Sequence, residues 1–299
     1  MLGDSFTEGL CPWRESFVGQ IAARFPQYDF LNGGMASYSP SNYLNVTRAV
    51  VGAGVEVDEV LVFIDISDTQ DEAAYYRDVD ASGAVLGPVR QETIYPKWRL
   101  RITNHLRVTN YLVGLFERNS IKHGSYHLYT WGGDLFDSER SAWTYRRVSE
   151  TQPYNAGYAP LGVEGGITKA KAKMTLLWQE LAARNIPISV VVYPWPSQVV
   201  HDTADSRQVR LWRDWCEGRC KRFIPLFEAF QAVKDKCPPS ERGCWYLKYF
   251  IYGDFHFSTA GSALVADAVS RSLEAATPAK TTTSTVAAEG RRRRISPQK

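Results

Sequence analysis

The apolar and polar residues of this chain follow a strand–helix alternation. The uninterrupted apolar runs Val60 to Ile64 and Ile188 to Tyr193 are typical of strands that are buried on both faces of a parallel sheet. Apolar residues recur at helical spacing from Ser16 to Phe25, and Asn42 to Val51 and Lys171 to Arg184 are also predicted to be helices. The alternation predicts an α/β layer fold with a doubly wound, mostly parallel sheet.

Shorter patterns extend this prediction. Tyr28 to Leu31 is predicted to be a short strand, Trp212 to Cys220 a helix, and Phe223 to Phe230 a strand that leads into a short helix. The apolar run Trp245 to Tyr252 and a helix-like pattern from Leu264 to Leu273 flank a polar loop. A loop that follows a strand is where a parallel sheet collects its reactive groups.

Residues 73 to 165 interrupt the rhythm and are predicted to form an insertion that walls or covers a cleft. A helical stretch from Trp98 to Phe116 precedes a segment rich in aromatic residues. These rings either stack on sugar faces or simply pack. The segment contains Tyr126, Tyr129, Trp131, Trp143, Tyr145, Tyr154 and Tyr158. We therefore expect one domain over residues 1–275 and a disordered tail over residues 276–299.

Charge and hydropathy exclude some classes of protein. The formal net charge of the 299 residues is +3, and the basic run Arg291 to Arg294 lies in the tail, so the folded part is close to neutral. This balance does not indicate a surface that binds nucleic acid. No apolar run approaches the roughly 18 residues of a membrane span, and no basic and apolar leader is present.

Four of the five cysteines lie close together in sequence. Cys216 and Cys220 are four positions apart, Cys237 and Cys244 are seven apart, and Cys11 is left over. Two disulfides in an oxidising compartment, free buried thiols, and a zinc site are the three alternatives. Neither pair has the two-residue gap of a zinc ribbon, which disfavours the metal.

The candidate chemistry lies at the two ends of the domain. The turn Gly3-Asp4-Ser5 follows an apolar start, and such a turn exposes a hydroxyl at the end of a strand and the beginning of a helix. A serine nucleophile needs a base, and the base needs a carboxylate that fixes its tautomer. His256 and Asp254 supply both groups within three residues.

These segments resemble the conserved blocks of the SGNH (GDSL) hydrolases. Gly3-Asp4-Ser5-Phe6-Thr7-Glu8-Gly9 is similar to the first block, Asn32 to Ser37 to the second, Asp65 to Asp68 to the third, and Gly253 to His256 to the last. The chain departs from the family pattern at two points. Ser67 stands where the family has an asparagine, and the acid precedes the histidine by two residues where three is usual.

The resemblance implies a three-layer, flavodoxin-like sheet and a Ser-His-Asp esterase or acyltransferase that needs no cofactor or metal. Ser5 would be the nucleophile, His256 the base and Asp254 its orienting acid. The oxyanion hole would be formed by Ser5 and Gly34, with Ser67 as a third donor. We expect a short acyl group, an O-acetyl on a small-molecule or polysaccharide carbohydrate. The alternatives are a lipase or lysophospholipase and a degenerate carbohydrate-binding domain.

Other residues extend or limit this prediction. Trp195, flanked by prolines after a strand, is predicted either to line the substrate or to pack in the core, and Trp131 and Trp143 are further candidates for lining the substrate. Asp65, Asp68, Asp71 and Glu72 lack the spacing of a calcium loop, so we expect them to form hydrogen bonds within the third block.

The start of the chain bears on its location. Only Met1 and Leu2 precede the first block. A chain truncated at its start would lack both the first strand and any export signal or membrane anchor. Together with the clustered cysteines, this favours a periplasmic or other extracytoplasmic protein.

Overall fold

The computed structural model describes residues 1–78, 85–86, 107–124, 129–130, 133–145 and 157–275. The strands are β1 Val60–Ile64, β2 Arg77–Asp78, β3 Val85–Leu86, β4 Tyr129–Thr130, β5 Gly133–Asp134, β6 Ile188–Val192 and β7 Cys220–Pro225. The α-helices are α1 Ser5–Glu8, α2 Phe17–Arg24, α3 Pro40–Gly52, α4 Ile66–Ala74, α5 Arg107–Lys122, α6 Ala142–Tyr145, α7 Gly162–Ala182, α8 Pro196–His201, α9 Arg207–Cys216, α10 Phe227–Asp235, α11 Cys244–Tyr249 and α12 Thr259–Glu274. Short 3₁₀ turns occupy Trp13–Glu15 and Pro239–Glu241.

The centre of the fold is a parallel sheet of three strands in the order β1-β6-β7. Leu2 continues this sheet beyond β1 through a parallel bridge to Val62. The Leu2 N–H donates to the Leu61 carbonyl at 2.8 Å, and the Phe63 N–H donates to the Leu2 carbonyl at 2.9 Å. The carboxyl ends of Leu2, β1 and β6 therefore meet at one edge of the sheet, where polar groups that follow the strands are brought together.

Both faces of the sheet are buried, which explains the uninterrupted apolar runs. Val62 and Val190 pack into one cluster with side chains of α3, α7 and α9, whereas Phe63 and Val191 pack into another with α2 and α12. Successive residues of a strand point to opposite faces, so both kinds of position must be apolar. The prediction of a mixed α/β fold with a parallel sheet is confirmed.

The predicted helices at residues 16–25, 42–51 and 171–184 correspond to α2, α3 and the end of α7, and both predicted buried strands form. Of the predicted helix from Trp98 to Phe116, residues 98–106 lie outside the described residues, and α5 continues to Lys122. Among the described helices, none combines the length and apolar character needed to cross a membrane.

Three local predictions were wrong. Tyr28 to Leu31 is not a strand: the Tyr28 N–H donates to the Phe25 carbonyl at 3.0 Å, and the amino terminus donates to the Leu31 carbonyl at 2.6 Å. The helix predicted to reach Cys220 ends at Cys216, and Cys220 begins β7. The run that starts at Trp245 forms helix α11, since a short apolar run fits a buried helix as well as a strand.

Two disulfides join the clustered cysteines, Cys216 to Cys220 and Cys237 to Cys244, and Cys11 is free. The first connects the end of α9 to the start of β7. The second connects the loop after α10 to the first residue of α11, which leads into the loop that carries His256. The disulfide alternative for these four residues is therefore confirmed.

Replacing Cys237 and Cys244 together by serine is expected to lower the free energy of unfolding by about 2 kcal/mol, because the bridge closes a short loop in the unfolded chain. Denaturant unfolding measures the change, with Cys11→Ser as the control that leaves it unaltered. Peptide mapping without reduction should recover both bridged pairs. Alkylation of Cys237 or Cys244 in unreduced protein would contradict the assignment.

Candidate active site

Ser5 lies at the start of helix α1, at the carboxyl edge of the sheet. Asp4 caps the helix, and its Oδ1 accepts a hydrogen bond from the Phe6 N–H at 3.0 Å. The turn is tight, because a Cβ atom on Gly3 would lie 2.0 Å from the Thr7 hydroxyl oxygen. The flanking residues Asp4 and Phe6 are buried, whereas Ser5 is partly exposed. The turn thus presents one hydroxyl to solvent.

His256 joins this hydroxyl to a carboxylate. Its Nε2 lies 2.7 Å from Ser5 Oγ, and its Nδ1 lies 2.6 Å from Asp254 Oδ1. Asp254 Oδ1 also accepts the backbone N–H of His256 at 3.1 Å, which fixes the carboxylate relative to the ring. The three residues that the sequence predicted to act together are therefore within hydrogen-bonding distance of one another.

The loop that carries His256 is held by a buried tyrosine and by aromatic packing. The Tyr246 hydroxyl accepts the N–H groups of Gly253 at 2.9 Å and Asp254 at 3.2 Å. The rings of Phe6 and Phe255 each lie 4.6 Å from the imidazole, centroid to centroid. These contacts limit the rotation of the imidazole and keep Nε2 directed at Ser5.

The charge on Asp254 is favoured at neutral pH. Burial raises the pKa of this carboxyl, but the hydrogen bond and charge of His256 outweigh it, so the pKa lies below its ordinary value. An ionised Asp254 holds the proton of the imidazole on Nδ1 and leaves Nε2 free to accept the Ser5 proton.

Two of the three expected oxyanion donors already have acceptors. The Ser5 N–H is at the first position of α1, where no acceptor exists within the helix. Gly34 packs so closely on α1 that a Cβ atom there would lie 2.6 Å from Thr7 Cβ, but its N–H donates to Asn32 Oδ1 at 2.9 Å. Gly34 is next to the nucleophile turn, and its role as a donor stays a prediction.

Ser67 lies between two buried carboxylates. Its hydroxyl is 2.6 Å from Asp65 Oδ1 and 3.1 Å from Asp4 Oδ2, and its N–H donates to the same Asp65 oxygen at 2.6 Å. A hydroxyl has one proton, so it donates to one of these two acids at a time, and both of its hydrogen-bonding contacts are with carboxyl oxygens. An oxyanion role for Ser67 would require this hydroxyl to turn.

Burial raises the pKa values of the carboxyls beneath Ser5. Burial, followed by the charge of Asp65, raises the pKa of Asp4 well above its ordinary value. Burial also raises the pKa of Asp65 and, together with the charge of Asp65, that of Asp68. The Tyr193 hydroxyl donates to Asp4 Oδ1 at 3.0 Å. Burial thereby disfavours negative charge next to Ser5.

The prediction of hydrogen bonds within the third block is confirmed for Asp65 and Asp68 but was wrong for Glu72, whose carboxylate accepts from Ser39 and Ser41 instead. Asp65 caps helix α4, and its N–H donates to Asp68 Oδ2 at 2.8 Å. Across the described ranges, no three His, Cys, Asp or Glu side chains are grouped as metal ligands.

The two described tryptophans of the predicted substrate-lining set are buried. Trp195 is 3% exposed and Trp143 is 2% exposed, and both rings pack in the same core cluster. This burial agrees with the core-packing alternative for Trp195, and a substrate-lining role stays a prediction for both. The Trp143 indole donates to the Tyr158 hydroxyl at 2.9 Å. Trp131 lies outside the described residues.

Trp195 also makes two contacts that its position in the sequence did not predict. Its Nε1–H donates to Asp65 Oδ2 at 2.6 Å, and its ring stacks on Phe255 at 4.1 Å with an interplanar angle of 7°. Phe255 lies between Asp254 and His256. Trp195 therefore links the histidine loop to the Asp65–Ser67–Asp4 hydrogen bonds beneath the nucleophile.

A small pocket adjoins the Ser5 hydroxyl and the imidazole. It encloses about 230 Å³, counted with the solvent at its mouth, and is lined by Ser5, Phe6, Gly9, Leu10, Cys11, Ser16, His256, Phe257 and Ser262. It suits a small group attached to the carbonyl that Ser5 would attack.

The two other described histidines lie away from Ser5. His123 Nδ1 is 2.8 Å from the Ser240 carbonyl, and His201 stacks on Tyr145 at 5.2 Å. His105 and His127 lie outside the described residues.

Comparisons of this chain with models of protein families, with curated proteins and with solved structures found no match. The geometry of the residues themselves is therefore the basis for the functional argument.

Trp195→Phe is expected to lower kcat about 10- to 100-fold with little change in KM, because phenylalanine keeps the ring stacking but removes the donor to Asp65. Steady-state hydrolysis of an aryl acetate measures the effect. Trp143→Phe is the matched control, since it also loses a buried indole hydrogen bond and should change stability only. Equal kcat values for the two variants would contradict the positioning role.

Proposed function

We propose that this protein is a serine esterase or acyltransferase that acts on a short acyl ester. The observation that carries the proposal is the continuous hydrogen-bonded series from Ser5 Oγ through His256 to Asp254. Neighbouring features support it: the nucleophile is partly exposed, its flanks are buried, and a small pocket adjoins it.

The reaction would proceed in two halves. Ser5 Oγ attacks the acyl carbonyl as His256 Nε2 takes its proton, and a tetrahedral oxyanion forms. The C–O bond to the alcohol then breaks, the alcohol takes the proton from His256, and the acyl group stays on Ser5. Water or a second alcohol attacks this acyl enzyme by the same steps in reverse. Hydrolysis and acyl transfer differ only in that acceptor.

The oxyanion would be stabilised first by the Ser5 N–H at the start of α1. Gly34 would supply a second N–H when its bond to Asn32 is exchanged, and Ser67 a third donor if its hydroxyl turns. Donors aimed at the developing charge are often the largest single contribution to such catalysis.

We further propose that the chain belongs with the SGNH hydrolases and has their three-layer, doubly wound arrangement. Support comes from the four sequence blocks and from buried helices on both faces of the parallel sheet. Two disulfides support an extracytoplasmic location, because such bridges persist in oxidising compartments.

A second candidate is a degenerate domain that binds carbohydrate without catalysis. The engaged Gly34 N–H and Ser67 hydroxyl favour it. The hydrogen bond between Ser5 and His256 favours the enzyme. Labelling of Ser5 distinguishes the two candidate functions.

A fluorophosphonate probe is expected to label the wild type at Ser5 and to leave Ser5→Ala unlabelled. In Asp254→Asn, both the labelling of Ser5 and the turnover of ester are expected to be about 10⁴-fold slower, because the imidazole then adopts the wrong tautomer. Intact mass and peptide mapping locate the adduct. Full aryl-acetate hydrolysis by Ser5→Ala would refute the mechanism, and absence of labelling in folded wild type would favour the degenerate domain.

Acyl-chain length provides an independent test. The small pocket beside Ser5 is expected to give aryl acetate a kcat/KM at least tenfold above that of aryl palmitate. The comparison uses the same leaving group in both esters, so only the acyl part differs. A preference for the palmitate would favour the lipase alternative.

A further inference from the structure

Helix α4 carries buried acids on two of its faces, and most of them are fully partnered. On one face, Asp68 Oδ1 accepts the Tyr43 hydroxyl at 2.5 Å. One turn further on, Glu72 accepts the Ser39 hydroxyl at 2.7 Å and both the N–H and the hydroxyl of Ser41 at 2.6 and 2.8 Å. The Lys169 ammonium lies 3.4 Å from Glu72. These acids stabilise the contact between α3 and α4.

Asp71 differs from them. It is 5% exposed, and within the described ranges of the chain its carboxyl accepts no hydrogen bond and forms no ion pair. A buried carboxyl without a partner is costly, since most buried polar groups are hydrogen-bonded. Such a group in a folded protein calls for a partner from outside the chain.

The position of Asp71 connects it to the nucleophile. It lies one helical turn after Ser67, so the two side chains share a face with Cβ atoms about 5–6 Å apart. The Ser67 hydroxyl contacts Asp4, which precedes Ser5. The face with Thr69 and Ala73 packs on Gly166 of α7 instead. Asp71 is therefore on the side of α4 that faces the candidate active site.

The charges of Arg140 and Asp4 act on Asp71. Burial and the charge of Asp4 raise the pKa of Asp71 well above its ordinary value, and the Arg140 guanidinium opposes this shift. The same guanidinium lies 5.8 Å from the centre of the Trp195 ring. Tyr75 is half-buried and lies one turn beyond Asp71. Burial raises the pKa of Tyr75, and the charge of Asp71 raises it further.

We propose that Asp71 binds a hydroxyl group in the alcohol half of the ester, so that the substrate is an acylated polyol such as a sugar. This inference rests on the proposed esterase function. A hydroxyl suits the site better than a cation does, because the neighbouring guanidinium repels a cation. A hydroxyl pairs with a carboxyl in either protonation state, donating to the ionised form or accepting from the neutral one.

The test compares two acetate esters. Phenyl acetate has no hydroxyl in its leaving group, whereas a methyl glucoside with one O-acetyl group has three. The kcat/KM ratio of the sugar ester to the phenyl ester is expected to fall at least tenfold in Asp71→Ala, mainly through KM. Asp71→Asn, which keeps a polar partner for the hydroxyl, should give an intermediate ratio. Stability should also respond, with Tm rising by about 2 °C in Asp71→Asn as an unpartnered acid is removed.

Glu72→Gln is the matched control, because Glu72 is a buried acid of the same helix with its partners in place. It should lower Tm and leave the substrate ratio at the wild-type value. An unchanged ratio in Asp71→Ala, or a ratio that changes equally in Glu72→Gln, would overturn the inference.

The inference and the proposed function fail in different ways. If the wild type cleaves phenyl acetate at Ser5 but not the sugar ester at any acetylated position, the esterase stands and the Asp71 assignment is wrong. If neither ester is cleaved, the esterase is wrong, and binding of methyl glucoside by ligand-observed NMR decides the rest. Binding that is lost in Asp71→Ala would support the hydroxyl site, and binding that is absent or unaltered would overturn it.

Discussion

The hydrogen bond between Ser5 and His256 is the constraint on which the rest of this structure depends, since it joins residues 251 positions apart along the chain. One partner is placed by Leu2, which pairs with β1 and sets where α1 begins. The other is placed by a loop fixed to the Tyr246 hydroxyl. Phe6 then packs directly on the imidazole. Apolar packing thus aligns two groups that neither end of the chain aligns alone.

Asp4 and Asp65 are buried beneath this contact, and their hydrogen-bond partners could not be predicted from the neighbouring sequence. The turn Gly3-Asp4-Ser5 and the pair of Asp254 and His256 were recognised because their chemistry is local in sequence. The partners of Asp65 were not, because Trp195 reaches it across 130 positions and only the parallel register of β1 and β6 brings them together. An aromatic residue between two prolines after a strand predicts a position beside the site. It does not predict whether the ring faces the site or the core, and the ring of Trp195 is buried.

The errors in the fold have the same origin. Val60 to Ile64 was predictable, because five consecutive apolar residues suit a strand covered on both faces. The apolar residues after Cys244 suit a strand equally well, and they form a helix because α11 packs into the core between α10 and α12. Cysteine spacing left three alternatives open, and the chain geometry decided between them by bringing Cys237 and Cys244 within bonding distance.

Ser67 shows how the buried acids act on the chemistry at Ser5. In the proposed reaction, the oxyanion on the acyl carbonyl that Ser5 attacks would form close to Asp4, and a charge on Asp4 would oppose it, strongly so at low local dielectric. Burial and the charge of Asp65 raise the pKa of Asp4 well above its ordinary value, which favours its neutral form. The Ser67 hydroxyl lies within hydrogen-bonding distance of both acids. A longer asparagine side chain at this position would place an amide where that contact lies. In the proposed esterase, the serine would therefore exchange a direct oxyanion donor for a contact with the acids beneath Ser5, and the backbone N–H groups would carry the larger share of oxyanion stabilisation.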